Sequence, residues 1–380
     1  ERNYGGRGKP IYASKAFSCK EIYRIVLSEG LDVEVVSGGE LYTALQAGVP
    51  GRQIHFQGNN KSIGELTMAL ENGVGDIVVD NLSELERLES LAAQRGVTAP
   101  ISFRIKPGID AHTHEFIRTG QVDSKFGLDL ASGEAMDALR RASELEHVVV
   151  KGLHCHIGSQ ILEKTPFVHA AEVMLQFFAQ VREELGTTFE HLNLGGGFGI
   201  HYTERDDAIP YEEYMEDVSA MVHAKCRELG LDLPYIFIEP GRSIVGEAGI
   251  TLYTVGNIKH IPGVRDYVAI DGGMFDNPRY ALYQSSYTCI LANKAGEPAD
   301  YTATIAGKCC ESGDLIQEHT LIQKPEEGDI LAVLSTGAYN YSMASNYNRN
   351  LKPAVVMVSR GKSRIVVKGE TYEDLVRNDV

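Results

Sequence analysis

Short runs rich in β-branched residues alternate with longer amphipathic stretches through the first 240 positions of the chain. The runs fall at 11–13, 32–36, 53–56, 76–79, 101–105, 148–154, 191–194 and 235–238. Between them, apolar positions recur with helical spacing at 18–29, 39–47, 62–71, 83–94, 133–146, 166–185 and 211–229. Apolar strands separated by amphipathic helices predict a parallel sheet covered by helices. Eight strands, each but the last followed by a helix, make the count of a (β/α)8 TIM-like barrel, with a doubly wound sheet as the competing topology. Past about position 247 the pattern changes. Strands are predicted at 249–258, 267–270, 301–305, 329–334, 354–358 and 363–367, with no long helix between them. Arg360-Gly361-Lys362 reads as a hairpin turn between the last two, and 372–377 as a short closing helix. The fold class is therefore α/β: a barrel over 10–247, then a C-terminal all-β domain, Greek-key or barrel-like, over 248–380.

The ends of the predicted strands separate the two topologies. They carry Lys15, then 37–39, 58–61, 80–81, 106–108, 156–160, 195–199 and 239–242, all polar or glycine-rich. Barrel enzymes collect their chemistry at the C-terminal ends of the strands. Turn preference explains the glycines and asparagines here, but not a lysine, a histidine and a glutamate in succession.

Charge and cysteine usage narrow the class. Lys plus Arg is 36 against 52 for Asp plus Glu, a net −16 with histidine neutral, which argues against a nucleic-acid partner. No stretch approaches the roughly 18–20 apolar residues of a membrane span, so no membrane partner is expected. The six cysteines, at 19, 155, 226, 289, 309 and 310, contain no CxxC spacing and suit a reducing compartment, which with the acidic balance predicts a cytoplasmic location. Residues 1–10 are polar and glycine-rich, without the apolar core of a secretory signal, and the lack of a leading Met suits a start inside a longer polypeptide.

Four features carry chemistry. Lys15, in Tyr12-Ala13-Ser14-Lys15-Ala16, closes an apolar strand; desolvation in a barrel mouth would make its neutral amine available to a carbonyl. His154 and His156 share one face of a strand, because strand side chains repeat every second residue. Such a pair suits either a metal, with His55, His191 and His201 as further candidates, or one imidazole packed on a planar cofactor with the other structural; the second reading is preferred and no metal is expected. Gly195-Gly196-Gly197-Phe198-Gly199 frees backbone amides to approach a phosphate, and its spacing is wrong for a dinucleotide fingerprint. Glu239-Pro240-Gly241-Arg242-Ser243 closes the eighth strand, where Gly241 and Arg242 can hold a phosphate. A carboxylate such as Glu239 facing a pyridine nitrogen keeps it protonated, making the ring a strong electron sink. Together these point to pyridoxal 5'-phosphate.

Further motifs accompany them. These are Val35-Val36-Ser37-Gly38-Gly39-Glu40-Leu41, Gly58-Asn59-Asn60-Lys61, Asp123-Ser124-Lys125-Phe126-Gly127 and His154-Cys155-His156-Ile157-Gly158-Ser159-Gln160. Later come Asp271-Gly272-Gly273-Met274, Cys310-Glu311-Ser312-Gly313-Asp314 and Gly337-Ala338-Tyr339. In this order the motifs resemble the diaminopimelate decarboxylases, pyridoxal-phosphate lyases of the alanine-racemase-like (fold-type III) barrel class, from about residue 10 to the C-terminus. The resemblance implies decarboxylation of meso-2,6-diaminopimelate to L-lysine and CO2, the last step of lysine biosynthesis. It implies that Lys15 anchors the cofactor, that His156 stacks on its ring and that Glu239 pairs with the ring nitrogen. Ser159, Gly195, Gly196, Gly197, Gly241 and Arg242 would bind the phosphate, and Tyr339 would touch cofactor and substrate. Arg242, Arg279, Tyr283 and Glu311 would hold the amino-acid substrate, and Cys310 would return the proton after CO2 leaves. Cys310 and Glu311 would come from the second subunit of a homodimer whose sites are shared. Two positions depart from the family pattern: Tyr280 follows Arg279 where proline is usual, and Glu34 stands where aspartate is usual.

The residues agree on the substrate. Diaminopimelate carries a distal amine and a distal carboxylate, which Glu311 and the Arg279 fork can take. Ornithine and lysine lack that carboxylate, so an ornithine- or lysine-type decarboxylase on the same fold would leave the arginine without an anion. A metal-dependent barrel hydrolase using His154 and His156 is the alternative from a different class.

Overall fold

A computed structural model describes residues 1–109 and 124–380. The chain divides into two units, Glu1–Gly199 with Ala208–Gly241, and Ile200–Asp207 with Arg242–Val380. Among the described residues, no helix is long and apolar enough to cross a membrane.

In the first unit eight parallel strands close on themselves: β1 (Gly8–Ala13), β2 (Asp32–Val35), β3 (Ile54–Phe56), β4 (Asp76–Val79), β5 (Ala99–Lys106), β7 (Val148–Cys155), β8 (His191–Asn193) and β9 (Tyr235–Ile238), with a short β6 (Leu128–Asp129) added beside β5. The circuit closes through β4 against β5, with Ile77 opposite Ile101, and through β1 against β9, with Lys9 opposite Phe237. This is the barrel, and it excludes the doubly wound sheet. Ile11, Val33, Ile54, Ile77, Ile101 and Ile236 are buried along the strands. Each is worth about 1.5–3 kcal/mol for leaving water.

One local device repeats where β2, β3 and β4 hand over to α2 (Gly38–Ala47), α3 (Ile63–Glu71) and α4 (Leu82–Arg95). Ser37, Ser62 and Asn81 cap the helices by accepting the amide of a glutamate three residues on: Glu40, Glu65 and Glu84. Those glutamates then pin the loops. Glu40 accepts the Val36 amide at 2.9 Å, Glu65 the Gly38 amide at 2.6 Å, and Glu84 the Asp80 amide at 3.3 Å. Glu84 also pairs with buried Lys61 at 2.7 Å, whose ammonium donates to the carbonyls of Gly58 and Val78 at 2.8 Å each. The strand ends that surround Lys15 are thus held by their own helix caps.

The opposite, N-terminal end of the barrel is closed by buried charge. Asp32 accepts from Lys9 at 2.7 Å, and the His55 ring lies 3.6 Å from both Asp32 and Asp76. Ser102 donates to Asp76 at 2.9 Å and lies 2.8 Å from His191 Nε2. His55 and His191 both pack edgewise on Phe237. This explains two histidines that the sequence offered as metal candidates: His55 lies within β3 and His191 begins β8, so neither closes its strand.

The second unit holds a six-stranded sheet in the order β12 (Cys289–Leu291), β15 (Ile330–Val333), β10 (Thr251–Ile261), β11 (Arg265–Ile270), β13 (Tyr301–Ala306) and β14 (Leu315–Ile322). Every pair is antiparallel except β11 with β13. β10 changes partner along its length, pairing with β15 up to Thr254 and with β11 from Val255, where the register shifts. Tyr253, Val268, Ile305, Ile316 and Leu331 belong to its core. The sequence reading missed β12 and β14. In β14 the run Gln317-Glu318-His319 dilutes the apolar pattern, and only pairing with β13 makes it a strand. A separate hairpin joins β16 (Val355–Ser359) to β17 (Lys362–Val367). Its turn residues Arg360 and Gly361 have φ of 51° and 72°, the left-handed pair that a tight two-residue hairpin needs.

Candidate active site

The barrel unit gathers Lys15, Glu34, Gln57, His154, His156, Asn193 and Glu239 from the ends of six strands. Lys15 sits in the single turn that follows β1, its side chain partly open. Its Nζ lies 4.0 Å from Glu34 Oε1 on β2. Ser14 beside it donates its hydroxyl to the Glu34 carbonyl, which fixes the two strand ends together. Glu34 is 1 % exposed, and among the described residues neither of its carboxylate oxygens accepts a hydrogen bond. Burial pushes this carboxyl up to about 8; Lys15 opposes that rise, while Glu239 and Glu40 add to it.

Glu239, just past β9, is provided for quite differently. Its Oε1 accepts from Asn193 Nδ2 at 2.7 Å and from Gln57 Nε2, and its Oε2 lies 3.2 Å from His154 Nε2. Burial alone would raise the carboxyl, but His154, the Lys15 ammonium and the Asn193 amide outweigh it and hold Glu239 below its ordinary value. One buried carboxyl is thus kept protonated and its neighbour ionised.

His156 accepts the Gly196 amide on Nδ1 at 3.2 Å. Burial first, then Lys15, Arg104 and His154, push its ring well below the ordinary imidazole value, so it is neutral with its proton on Nε2. Gly195 and Gly196 are required by the backbone itself. A Cβ on Gly195, whose φ is 69°, would lie 2.4 Å from the Cys155 carbonyl oxygen, and one on Gly196 would lie 2.0 Å from that of Glu239. The glycine run therefore threads between the ends of β7 and β9, which is a stricter demand than the open phosphate approach read from sequence. Gly197, with φ 109°, continues this thread; Gly241 packs on Ala13 and Ala16, and Ser159 is half-buried in the turn after β7. Of the motif at 123–127, Asp123 lies outside the described residues. Gly127 donates its amide to Asp80 at 3.0 Å, and Phe126 underlies the Arg104 guanidinium at 4.3 Å.

A second cluster belongs to the other unit. Arg242 opens the short helix α8 (Arg242–Val245), and Arg279 opens α9 (Arg279–Tyr283); both are buried. Arg279 Nη1 donates to Tyr287 Oη at 2.9 Å and its guanidinium lies 4.6 Å from the Tyr202 ring centre. Arg242 donates to Tyr202 Oη and stacks over Tyr339 at 4.6 Å. Tyr339 has φ 62°, and Tyr283 is half-buried at the end of α9. Cys310 and Glu311 lie exposed between β13 and β14. The loop is fixed by Asp314, which accepts the amides of Met274 and Cys309 at 2.6 and 2.7 Å, and by Asn348, which accepts the Cys310 amide at 2.7 Å. Among the described residues, no hydrogen bond or ion pair joins Cys310 or Glu311 to Arg279 or Tyr339.

Several members of these clusters escaped the sequence reading. Gln57 and Asn193 were legible as polar residues at or near strand ends, next to stretches already singled out. Glu34 was noticed only as a departure from a pattern. Tyr202 and Tyr287 gave no signal, being two tyrosines among 18.

The side chains fit pyridoxal phosphate. A primary amine, a neutral imidazole, an ionised buried carboxylate and a protonated one whose oxygens accept no hydrogen bond among the described residues stand at one end of one barrel. Comparison with known proteins agrees. Residues 1–246 match the family model described as "Pyridoxal-dependent decarboxylase, pyridoxal binding domain". Diaminopimelate decarboxylase of Bacillus subtilis (strain 168) is 52 % identical over 376 residues, covering 99 % of this chain and 86 % of its own. The crystal structure of diaminopimelate decarboxylase from M. jannaschii in co-complex with L-lysine superposes with a TM-score of 0.93 at 37 % identity, over 100 % of this chain and 86 % of that one. The Helicobacter pylori enzyme complexed with L-lysine superposes with a TM-score of 0.89 at 32 % identity, over 99 % of this chain and 92 % of that one. A closed barrel with a lysine after its first strand, a separate β unit, and likeness over essentially the whole length make this chain a member of the diaminopimelate decarboxylase family.

Proposed function

We propose that this chain removes CO2 from meso-diaminopimelate to give L-lysine, with pyridoxal phosphate as cofactor. The observation that carries the substrate is Arg279. It is 6 % exposed, and among the described residues no carboxylate pairs with it. Among the described residues, the Tyr202 and Tyr287 rings and the Tyr287 hydroxyl are what it meets. A guanidinium buried this way is prepared for an external anion, and the distal carboxylate of diaminopimelate supplies one. Ornithine and lysine do not.

The remaining roles follow from the residues. The cofactor, when bound, supplies an electron-poor ring that stabilises the carbanion left by CO2. Lys15 Nζ is the amine that would hold the cofactor through its aldehyde carbon, and Glu239 the ionised carboxylate that would pair with its ring nitrogen. His156, neutral, offers a flat face without adding positive charge. Ser159, Gly195, Gly196, Gly197, Gly241 and Arg242 would hold its phosphate, and Tyr339, stacked on Arg242, would touch cofactor and substrate. Tyr283 and Glu311 bind substrate with Arg279, Glu311 taking the distal ammonium. Cys310 Sγ returns a proton to the carbon that lost CO2.

The exposure of Cys310 and Glu311 in a single chain supports their donation to a second copy, giving a homodimer with shared sites. All six cysteines are free, which supports action in the reducing cytoplasm. The test is CO2 release from meso-diaminopimelate, ornithine, lysine and arginine. Turnover of diaminopimelate alone is expected; turnover of ornithine without diaminopimelate would overturn the reading.

A further inference from the structure

Tyr202 lies at the centre of a closed circuit of side chains. Its hydroxyl accepts from Arg242 Nη1, and its ring centre lies 4.6 Å from the Arg279 guanidinium carbon. Its ring meets Tyr287 edge-on, with centres 5.5 Å apart and planes at 86°. Arg279 donates to Tyr287 Oη at 2.9 Å, and that hydroxyl donates to Asn340 Oδ1 at 3.2 Å. The neighbouring Tyr339 carries Arg242 over its ring at 4.6 Å, which returns the circuit to its start. Tyr202, Tyr287, Arg242, Arg279 and Asn340 are all buried. Two guanidinium groups are therefore held by one phenol: Arg242 through its hydroxyl, with its guanidinium carbon 5.7 Å from the ring centre, and Arg279 closer over the π face at 4.6 Å, where the ring quadrupole attracts a cation.

We propose that Tyr202 is a positioning residue that serves the two arginines separately: its hydroxyl orients Arg242 for one anionic group, and its ring orients Arg279 for another. The selectivity of this chain for a substrate with a distal carboxylate then depends on a residue that acts through the two arginines. The inference rests on the reading of Arg242 as a phosphate ligand and Arg279 as the seat of the distal carboxylate.

Two variants split the roles. Tyr202→Phe keeps the ring and removes the hydroxyl; Tyr202→Leu removes both. Apo-protein is titrated with pyridoxal phosphate by absorbance, and KM and kcat for meso-diaminopimelate are measured at saturating cofactor. Losing a hydrogen bond to a charged group predicts a cofactor Kd about tenfold higher in both variants. Losing the π face predicts a KM about tenfold higher in Tyr202→Leu, with a much smaller rise in Tyr202→Phe and with kcat less affected than KM. The proposal is overturned if Tyr202→Phe binds the cofactor as wild type does, or if the two variants share one KM. It is equally overturned if both lose kcat in step with their melting temperature, as a purely structural role requires. Should wild type release no CO2 from diaminopimelate, the substrate reading fails while the cofactor titration still judges the hydroxyl's role.

Discussion

His154 Nε2 lies 3.2 Å from Glu239 Oε2, and both side chains are buried. The contact assigns the two histidines of His154-Cys155-His156 different work. His154 serves the Glu239 carboxylate, while His156 stays neutral and accepts the Gly196 amide. Replacing Glu239 by Gln keeps the shape and removes the charge. Its kcat is expected to fall about 100-fold, as when one preorganised electrostatic partner is lost. Cofactor uptake, read by absorbance, should persist. A Glu239→Gln protein with wild-type turnover would remove the carboxylate from the chemistry.

Glu34 should make folding stability depend on pH. Its folded value is about 8, above the roughly 4.3 of a free glutamate. Between those values the native state holds a proton that the unfolded chain has released. The stabilisation is therefore full below about pH 4 and is lost as pH rises through about 8. In melting scans of apo-protein from pH 5 to 8.5, Glu34→Gln should become progressively more stable relative to wild type as pH rises. A constant difference would show that Glu34 is ionised throughout.

His55 carries a charge at the other end of the barrel. Burial disfavours its imidazolium, but the Asp32 and Asp76 carboxylates, each 3.6 Å away, outweigh burial and raise it to about 9. A free histidine titrates near about 6.5, so this contribution is full below about pH 6.5 and is lost as pH rises through about 9. His55→Gln leaves two buried aspartates short of a cation and should cost about 3 kcal/mol at pH 6. The deficit should shrink by pH 9.5. A deficit independent of pH would place a neutral ring there.

Arg279→Ala removes the proposed seat of the distal carboxylate. Loss of a charge-assisted contact predicts a rise in KM for meso-diaminopimelate of about 100-fold, with a smaller effect on kcat. A retained KM would move the carboxylate elsewhere.

Shared sites are tested by mixing two inactive proteins. Lys15→Ala and Cys310→Ala should each be inactive alone. Random reassortment of subunits restores about a quarter of the sites if each site takes Lys15 from one copy and Cys310 from the other. No recovery after verified subunit exchange would place both residues of a site on one chain.

What could be read from the chain alone was whatever depends on neighbours in sequence. The alternation of apolar strands with amphipathic helices identified the barrel, because burial on both faces of a parallel strand leaves a local apolar run. Lys15, His156 and Glu239 stood out because each closes such a run, and a strand end is also a local property. The Arg360-Gly361 turn was legible for the same reason. Tertiary structure decided the rest. Glu34 meets Lys15 only because β1 pairs with β2, with Ala13 opposite Glu34. Asp32, His55, Asp76 and His191 come from four strands, and only closure of the barrel makes them one network. β14 is a strand because β13 offers it an edge, and Tyr202 holds two arginines that lie 40 and 77 positions further along the chain. Such contacts depend on strand register and chain closure, and both depend on burial summed over distant segments, which no local pattern records.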